Sequence, residues 1–467
     1  MDGRDDLGPA FPRPGLFPSR VLNSLYAVFQ VRGQFRYPFR PRARILADQS
    51  RRLRQITAYA YDNVPYYQET FRRLGLTPAD IRRAEDLERL PVLERRAVQA
   101  DPERFLSRAA RLDRCLRLQT GGSTGAPLTY YRDVRCVLKL LGVQERYRAV
   151  LAGAVGRRLR YRETLIAPPQ SSARKSIAFW WGQTVVLKRI SPRKQFLSML
   201  DAPQANIAAM DRFKPDVVHS YGSYIEVLFA RLAEVDRLSH RPACVGFGGD
   251  GLSDPARRSI DETFGIPAFS SYDAVEAWRL GFECGRHSGI HINEDFYALR
   301  ITDESGRAIP PGAPGDVVVS NLVNRAMVLL NYRLGDLAAV RPEPCPCGRN
   351  LILLSYPAGR SDEWVELPGG RRFHPFAFNR VLRERSDVWQ YQVVQESALR
   401  FRVSLVAKET CDRAAAASQI AKQIQEGLGG DAVIDVRFVS EIPRTPGGKV
   451  RAVLSLSADK TPGRAAR

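Results

Sequence analysis

Apolar positions recur with a helical period through the first part of the chain. Between Val21 and about Leu74 the pattern is mainly helical, with Leu22, Leu25, Tyr26 and Phe29 spaced i, i+3, i+4, i+7 and breaks near Pro38 and Pro41. The run LPVLERR, within Asp86 to Arg96, predicts a short connection into a further helix, and another helix is predicted from Asp133 to about Val150. The texture changes at Val217. Short β-rich runs (DVVHSYG, CVGFGGD, PAFSSYD) alternate with helical segments at Tyr224–Asp236 and Asp254–Phe264, which predicts parallel α/β layers. Hairpin-like pieces follow at Tyr297–Thr302 and Asp316–Asn321, separated by the turn-rich DESGRAIPPGAPG. After Gly359 a smaller α+β unit is predicted, with strands near Trp364–Leu367, Val388–Gln395, Arg400–Val406 and Ala432–Phe438 and a helix over Ala414–Leu428. The expected fold class is α/β, with a large N-terminal α/β domain of layered sheets (19–358) and a small α+β C-terminal domain (363–458). A proline-rich flexible tail (1–18) and a basic tail (459–467) flank them.

Composition narrows the class. A chain of 467 residues is too long for one ordinary core, and its 44% hydrophobic and 26% charged residues argue against disorder. Lysine plus arginine exceed aspartate plus glutamate by 71 − 50, or +21, which invites an anionic partner without specifying a fold. Seven cysteines in so long a chain do not read as a disulfide framework. No run approaches the roughly 18 apolar residues of a membrane-spanning helix, and Met1 to Arg20 lacks the apolar core of a secretory signal. The expected location is the cytoplasm.

The most informative stretch is Gln119-Thr-Gly-Gly-Ser-Thr-Gly-Ala-Pro127. Gly121, Gly122 and Gly125 let the backbone fold closely around an anion, and Thr120, Ser123 and Thr124 add hydroxyl donors, which suits a polyphosphate. The stretch lacks the Gly-Lys-Ser/Thr ending of a Walker loop; a plain turn is the alternative. A second constellation is Cys284-x6-His291 with Cys345-Pro-Cys347, four ligands of the type a structural Zn²⁺ prefers, with His287 as a substitute ligand and ordinary reduced thiols as the alternative. Cys115, Cys136, Cys244 and Cys411 read as small core residues, and His219, His240 and His374 as structural.

Several further elements stand in order: Ser271-Tyr-Asp-Ala-Val-Glu276, Asn331-Tyr-Arg-Leu-Gly-Asp336, Gly359-Arg-Ser-Asp362 and Pro443-Arg-Thr-Pro-Gly-Gly-Lys449. Together with the glycine-rich stretch they resemble the ordered motifs of the adenylate-forming (AMP-binding) superfamily, in particular the phenylacetate–CoA ligase group and its capsule-biosynthesis, CapK-like relatives. The resemblance spans roughly residues 50 to 455. It implies that Asp336 accepts from the ribose hydroxyls of ATP, that Arg360 reaches the ribose or phosphates, and that Glu276 helps hold Mg²⁺ on the triphosphate. It implies also that Gly249 and Asp250 border the adenine and that Tyr272 stacks on it. Lys449 would bridge the substrate carboxylate and the α-phosphate, as a catalytic ammonium. Asp362 would sit in a hinge (359–362) about which a mobile small domain swings. Some relatives use a Cys/His cluster for zinc, which favours the metal reading of Cys284, His291, Cys345 and Cys347. The chain departs from the family at Val275, where a hydroxyl residue is usual, at Asp273, often glycine, and at Asp250, often glutamate.

The function implied is ATP-dependent activation of a carboxylic acid as acyl-adenylate with pyrophosphate release, then acyl transfer to CoA. An amine or hydroxyl acceptor is the alternative, and Glu366-Leu-Pro-Gly-Gly370 resembles the capsule branch. A non-catalytic nucleotide or polyanion binder is the rival of a different class. Arginine clusters at 40–44, 51–54 and 157–160 speak for it, and the absence of any aromatic-interleaved basic stripe speaks against. The acyl pocket is expected between Tyr130 and Trp181 and from His219 to Tyr224, with Tyr147, Phe179, Trp180, Trp181, Tyr221 and Tyr224 as candidate lining.

Overall fold

The computed structural model describes residues 16–120, 127–185, 191–235, 239–357, 359–360, 365–373, 378, 381–382, 385, 387–444, 450 and 452–455. Helix α1 (Phe17–Val31) begins inside the stretch expected to be a tail, with Pro18 in its first turn, where a proline costs no hydrogen bond. The expected stripe is helical but is not the packed face. Leu22, Leu25 and Phe29 stay 67%, 65% and 74% exposed, while Ser24 and Ala27 are buried. Polar anchors decide the orientation: Asn23 donates to the carbonyl of Gln183, Arg20 to that of Thr184, and the Ser24 hydroxyl accepts from the Val185 amide. Helices α2 (Arg42–Asn63) and α3 (Pro65–Leu74) follow the proline breaks. The short α4 (Arg95–Ala100) is the one anticipated after LPVLERR. A hairpin of β1 (Leu116–Gln119) and β2 (Thr129–Arg132) brackets the glycine-rich stretch.

Helix α5 (Val134–Val155) is capped by Asp133, whose side chain accepts from the Cys136 amide, and ends at Gly156 in the left-handed conformation. Beyond it the strands β3 (Arg162–Ile166), β4 (Arg193–Leu197), β5 (Val217–Ser220), β6 (Cys244–Gly248) and β7 (Ala268–Ala274) form parallel pairs. The connecting helices are α6 (Ser172–Gln183), α7 (Pro203–Phe213), α8 (Gly222–Val235) and α9 (Asp254–Phe264). The run of α9 matches the sequence expectation because its signals are local: Ser253 caps it, Pro255 opens it and Gly265 closes it at φ +59°. After β7 the sheet turns antiparallel through β8 (Trp278–Glu283) and β9 (Ile290–Ile292). Strands β10 (Tyr297–Thr302), β11 (Gly315–Asn321) and β12 (Tyr332–Ala338) open a second, antiparallel sheet. The pair β13 (Leu353–Leu354) and β14 (Gly359–Arg360) completes the two sheets, with final orders β13-β9-β8-β7-β6-β5-β3-β4 and β10-β11-β12-β14. The sheet is therefore mixed where the sequence rhythm suggested parallel layers.

The smaller unit holds the hairpin β15 (Val365–Glu366) and β16 (Arg372–Phe373), then β17 (Val388–Ser397), β18 (Arg400–Ala407), α10 (Arg413–Leu428), β19 (Val433–Phe438) and β20 (Val453–Leu454). Its core, with Val393, Phe401, Val403, Leu405, Ile420 and Ile424, is separate from the cores of the large unit. Among the described residues no helix is long and apolar enough to cross a membrane.

Candidate active site and metal cluster

A cavity of about 960 Å³ lies between the two units. Its walls include Thr120, Gly249, Asp250, Tyr272, Glu276 and Asp336, six of the positions singled out in the sequence. Tyr272 and Asp336 lie within strands β7 and β12, and the other four follow strand ends. Thr120 follows β1, and its hydroxyl accepts from the Leu128 amide at 2.9 Å and from Arg95 Nη2 at 2.5 Å. Glu276 sits in the turn between β7 and β8, 7% exposed, accepting from the Tyr332 hydroxyl at 3.1 Å with Arg95 Nη1 3.9 Å away. Arg95 therefore links the start of the glycine-rich stretch to the acidic residue. The sequence reading missed it, because Arg95 stands in a chain rich in arginine and 25 positions before Thr120.

Asp336 does not pair with Arg333, its neighbour on β12; that guanidinium is held by Glu94 at 2.9 Å and by Asp316. Instead Asp336 accepts from the Tyr272 hydroxyl at 2.7 Å, which fixes the carboxylate and ties the two expected nucleotide contacts together. Arg360 is the backbone register partner of Asp336 in the β12–β14 ladder. Asp250 accepts from the Ser223 amide at 3.2 Å and from the Ser223 hydroxyl at 2.6 Å. The smaller unit docks on this same serine. Gln390 Nε2 donates to the Ser223 carbonyl at 2.7 Å, and Arg444 donates to both the hydroxyl and the carbonyl at 3.2 Å. Gly121, Gly122, Ser123, Thr124, Gly125, Asp362 and Lys449 lie outside the described residues, as does His374. Val450, the residue after Lys449, lines the cavity.

The departures at 273 and 275 have partners. Asp273 accepts from Arg279 Nε at 3.1 Å and from the Ser271 hydroxyl at 2.6 Å. The space is provided by Gly248, where an added Cβ would come within 2.4 Å of the Ser271 hydroxyl and 2.7 Å of Asp273. Val275 packs with apolar side chains while its carbonyl accepts from buried Arg132. Of the aromatic residues expected to line an acyl pocket, Trp180, Trp181 and Tyr221 face the cavity. Tyr147, Phe179 and Tyr224 are buried in the cores instead, each ring enclosed by a helix or sheet interface. His219, expected to be structural, faces the cavity.

The four residues of the Cys/His set do not line this cavity. Cys284 follows β8, His291 lies in β9, and Cys345 and Cys347 lie in the connection from β12 to β13. Their ligand atoms all lie within 4.8 Å of one another, with Cys284 Sγ to Cys345 Sγ at 3.6 Å and Cys347 Sγ to His291 Nε2 at 3.4 Å. Tetrahedral zinc with Zn–S near 2.3 Å needs ligand separations of about 3.7 Å, so the donor set and spacing fit. His287 is not in the group; its Nδ1 meets Glu283 at 2.8 Å. Cys115, Cys136 and Cys244 are buried as expected, whereas Cys411 is only partly covered and contacts Asp387 at 3.3 Å.

The arginine clusters are partly committed to carboxylates. Arg42 pairs with Glu294, Arg51 with Asp48, Arg52 with Asp295 and Arg157 with Asp216. Asp48, Glu294 and Asp295 are themselves buried, so part of this positive charge is neutralised from inside the fold.

Residues 368–455 match the family model of the CapK C-terminal domain. A phenylacetate–coenzyme A ligase of Thermus thermophilus is 25% identical over 453 residues, 89% of this chain and 97% of that protein. The CapK protein of Staphylococcus aureus is 20% identical over 418 residues, covering 87% of this chain and 88% of its own. The chain is thus similar over most of its length to phenylacetate–coenzyme A ligases and to CapK. A 2-hydroxyisobutyryl-CoA ligase, solved in the postadenylation state with an acyl-AMP, superposes with a TM-score of 0.67 at 20% identity, over 87% of this chain and 88% of that one. The two-unit architecture is therefore similar in fold to that CoA ligase. The similarity to the Thermus thermophilus ligase covers 89% of this chain and so extends over both units.

Proposed function

We propose that the chain activates a carboxylic acid with ATP and passes the acyl group to CoA. The observation that carries this reading is the convergence of Thr120, Asp250, Tyr272, Glu276 and Asp336 on one cavity bounded by both units. In the first step a carboxylate oxygen of the acid attacks the α-phosphorus of ATP. The bond from that phosphorus to the bridging oxygen breaks, leaving acyl-adenylate and pyrophosphate. In the second step the sulfur of CoA attacks the acyl carbon and AMP departs with the electron pair of the C–O bond.

Asp336, oriented by Tyr272, is suited to accept from the ribose hydroxyls, since a carboxylate offers about four acceptor positions. Glu276 is the oxygen ligand available for Mg²⁺, which when bound spreads the charge of the phosphates. Arg95, beside both Thr120 and Glu276, is placed to meet phosphate oxygens. Lys449 is assigned the ammonium that steadies charge developing at the α-phosphate, and Asp362 the pivot of the small unit. Cys284, His291, Cys345 and Cys347 would hold a closed structural Zn²⁺ that ties β8 and β9 to the loop before β13. The match of the small unit to the capsule-type domain favours a second reading of the last step, in which an amine or hydroxyl takes the acyl group.

Pyrophosphate release from MgATP across a panel of acids, with and without CoA, tests the proposal. Acid-dependent release with a CoA thioester product is the expected outcome. Release without any thioester favours the second acceptor reading, and absence of ATP binding overturns both. Lys449→Ala should lower the rate of pyrophosphate release by about 10² to 10³ with ATP affinity largely kept; an unchanged rate removes Lys449 from the mechanism.

A further inference from the structure

One face of the central sheet carries a polar row into the cavity, interrupted at Gly246. It begins at β4, where Lys194 Nζ meets Glu163 Oε1 of β3 at 2.6 Å. The pair is directly cross-strand, Glu163 opposite Lys194, and both side chains are nearly enclosed, at 8% and 12% exposure. His219 of β5 stands next, its Nε2 3.5 Å from the same Glu163 oxygen. The following strand leaves room for the imidazole. Gly246 lies opposite His219, and a Cβ there would come within 2.2 Å of the ring. The row resumes with Arg279 of β8, which donates to Asp273 at 3.1 Å and to Gln144 of α5 at 2.9 Å. Glu163, Lys194, His219, Arg279, Asp273 and Gln144 all line the cavity.

The row is electrically balanced. Two cations face two carboxylates, and burial holds His219 in its neutral form, its pKa pushed down to about 4 despite the Glu163 carboxylate. Such a wall offers hydrogen-bond donors and acceptors in alternation but no surplus charge. An unsubstituted aryl ring seated here would cover the cavity-facing edge of these pairs and return no hydrogen bond, a cost of about 1–3 kcal/mol for each donor or acceptor left unsatisfied. Within this row a second ionised group on the ligand would likewise find no unbalanced partner. Hydroxyl groups, which both donate and accept, match the pattern. Trp180, Trp181 and Tyr221 on the remaining walls supply flat apolar surface for a ring.

We infer that the acid activated by this chain is a polyhydroxylated aromatic acid, with Glu163, Lys194 and His219 as specificity-determining residues. This rests on the adenylation reading above, and it goes beyond it by naming the class of acid. The departure at Asp273 belongs to the same design, since that carboxylate anchors Arg279 within the row.

Matched pairs of acids test the inference: phenylacetate against 3,4-dihydroxyphenylacetate, and benzoate against 3,4-dihydroxybenzoate, in acid-dependent ATP–pyrophosphate exchange with parallel ATP-binding measurements. The hydroxylated member of at least one pair should be favoured about 10²-fold or more in kcat/KM, because a site built to bond hydroxyls discriminates strongly against the analogue that lacks them. In the double variant Glu163→Leu/Lys194→Met that ratio should fall below about tenfold while ATP affinity stays unchanged. The double change removes both charges together, and intact ATP binding shows that it has folded. Equal or reversed preference in the unaltered protein overturns the inference and leaves adenylation standing. So does ATP binding without exchange on any of the four acids. A protein that binds no ATP overturns the functional reading and this inference together.

Discussion

Arg146–Asp295 and Lys194–Glu163 are both buried ion pairs in the large unit, yet they are built differently. Arg146 and Asp295 are fully enclosed and joined by two parallel bonds of 2.7 and 2.9 Å. Asn293, Gln34 and Arg52 complete the set, and the guanidinium stacks on Tyr37 at 4.3 Å. Lys194 meets Glu163 through one point charge, and one side of the pair borders the cavity. Arginine's planar fork suits a saturated structural knot, whereas a lysine keeps freedom to reorient toward a ligand. The lesson is that burial alone does not distinguish structural charge from functional charge; what the charge still faces does.

The largest effect expected from this contrast is on Arg146→Ala, which leaves a buried carboxylate with its main partner gone. It should cost about 3–5 kcal/mol, read as a shift of the urea midpoint. Glu163→Gln should cost less, about 1–3 kcal/mol, because cavity water can solvate the released ammonium. Equal losses for the two variants would break the comparison. Acid sharpens it further. Burial pushes Glu163 up, but Lys194 and His219 outweigh this and hold its pKa to about 2, while His219 itself is down at about 4. Below pH 6.5 the unfolded chain takes up a proton at this histidine that the folded chain refuses, so stability falls from there to about pH 4. The Glu163 contribution, present above its unfolded value near 4.5, is then lost toward pH 2. His219→Gln should flatten the upper part of that decline in thermal melts recorded from pH 7 to 4; an unchanged slope would assign it to other groups.

A third enclosed polar site, the Cys/His cluster, should behave like the sealed pair. Metal analysis should find about one zinc per chain, and Cys345→Ser should remove it and lower the melting temperature while acid preference stays as before. Zinc-free protein with an unaltered melt would mean that the four side chains serve only as packing.

Reading the sequence reached some of these regions and not others. The helix Asp254–Phe264 and the strands at 217–220 and 244–248 were legible because caps, prolines and runs of apolar residues act locally. The β3 and β4 strands were not. RETLI and RKQFL carry charges that look like exposed positions, and Lys194, the partner that lets Glu163 be buried, lies 31 residues further along the chain. The same holds for Arg95, whose relation to Thr120 and Glu276 exists only after folding.

The order and chemistry of the motif residues, the class of fold and the two-unit plan were written in the sequence, because each depends on residue type and spacing along one segment. Which charges became internal knots, which became the wall of a cavity, and which apolar stripe of α1 stayed in solvent were decided by the tertiary structure. Those outcomes depend on cross-strand register and on pairing between distant segments, and electrostatic and packing energies of that kind have no counterpart in a single stretch of chain.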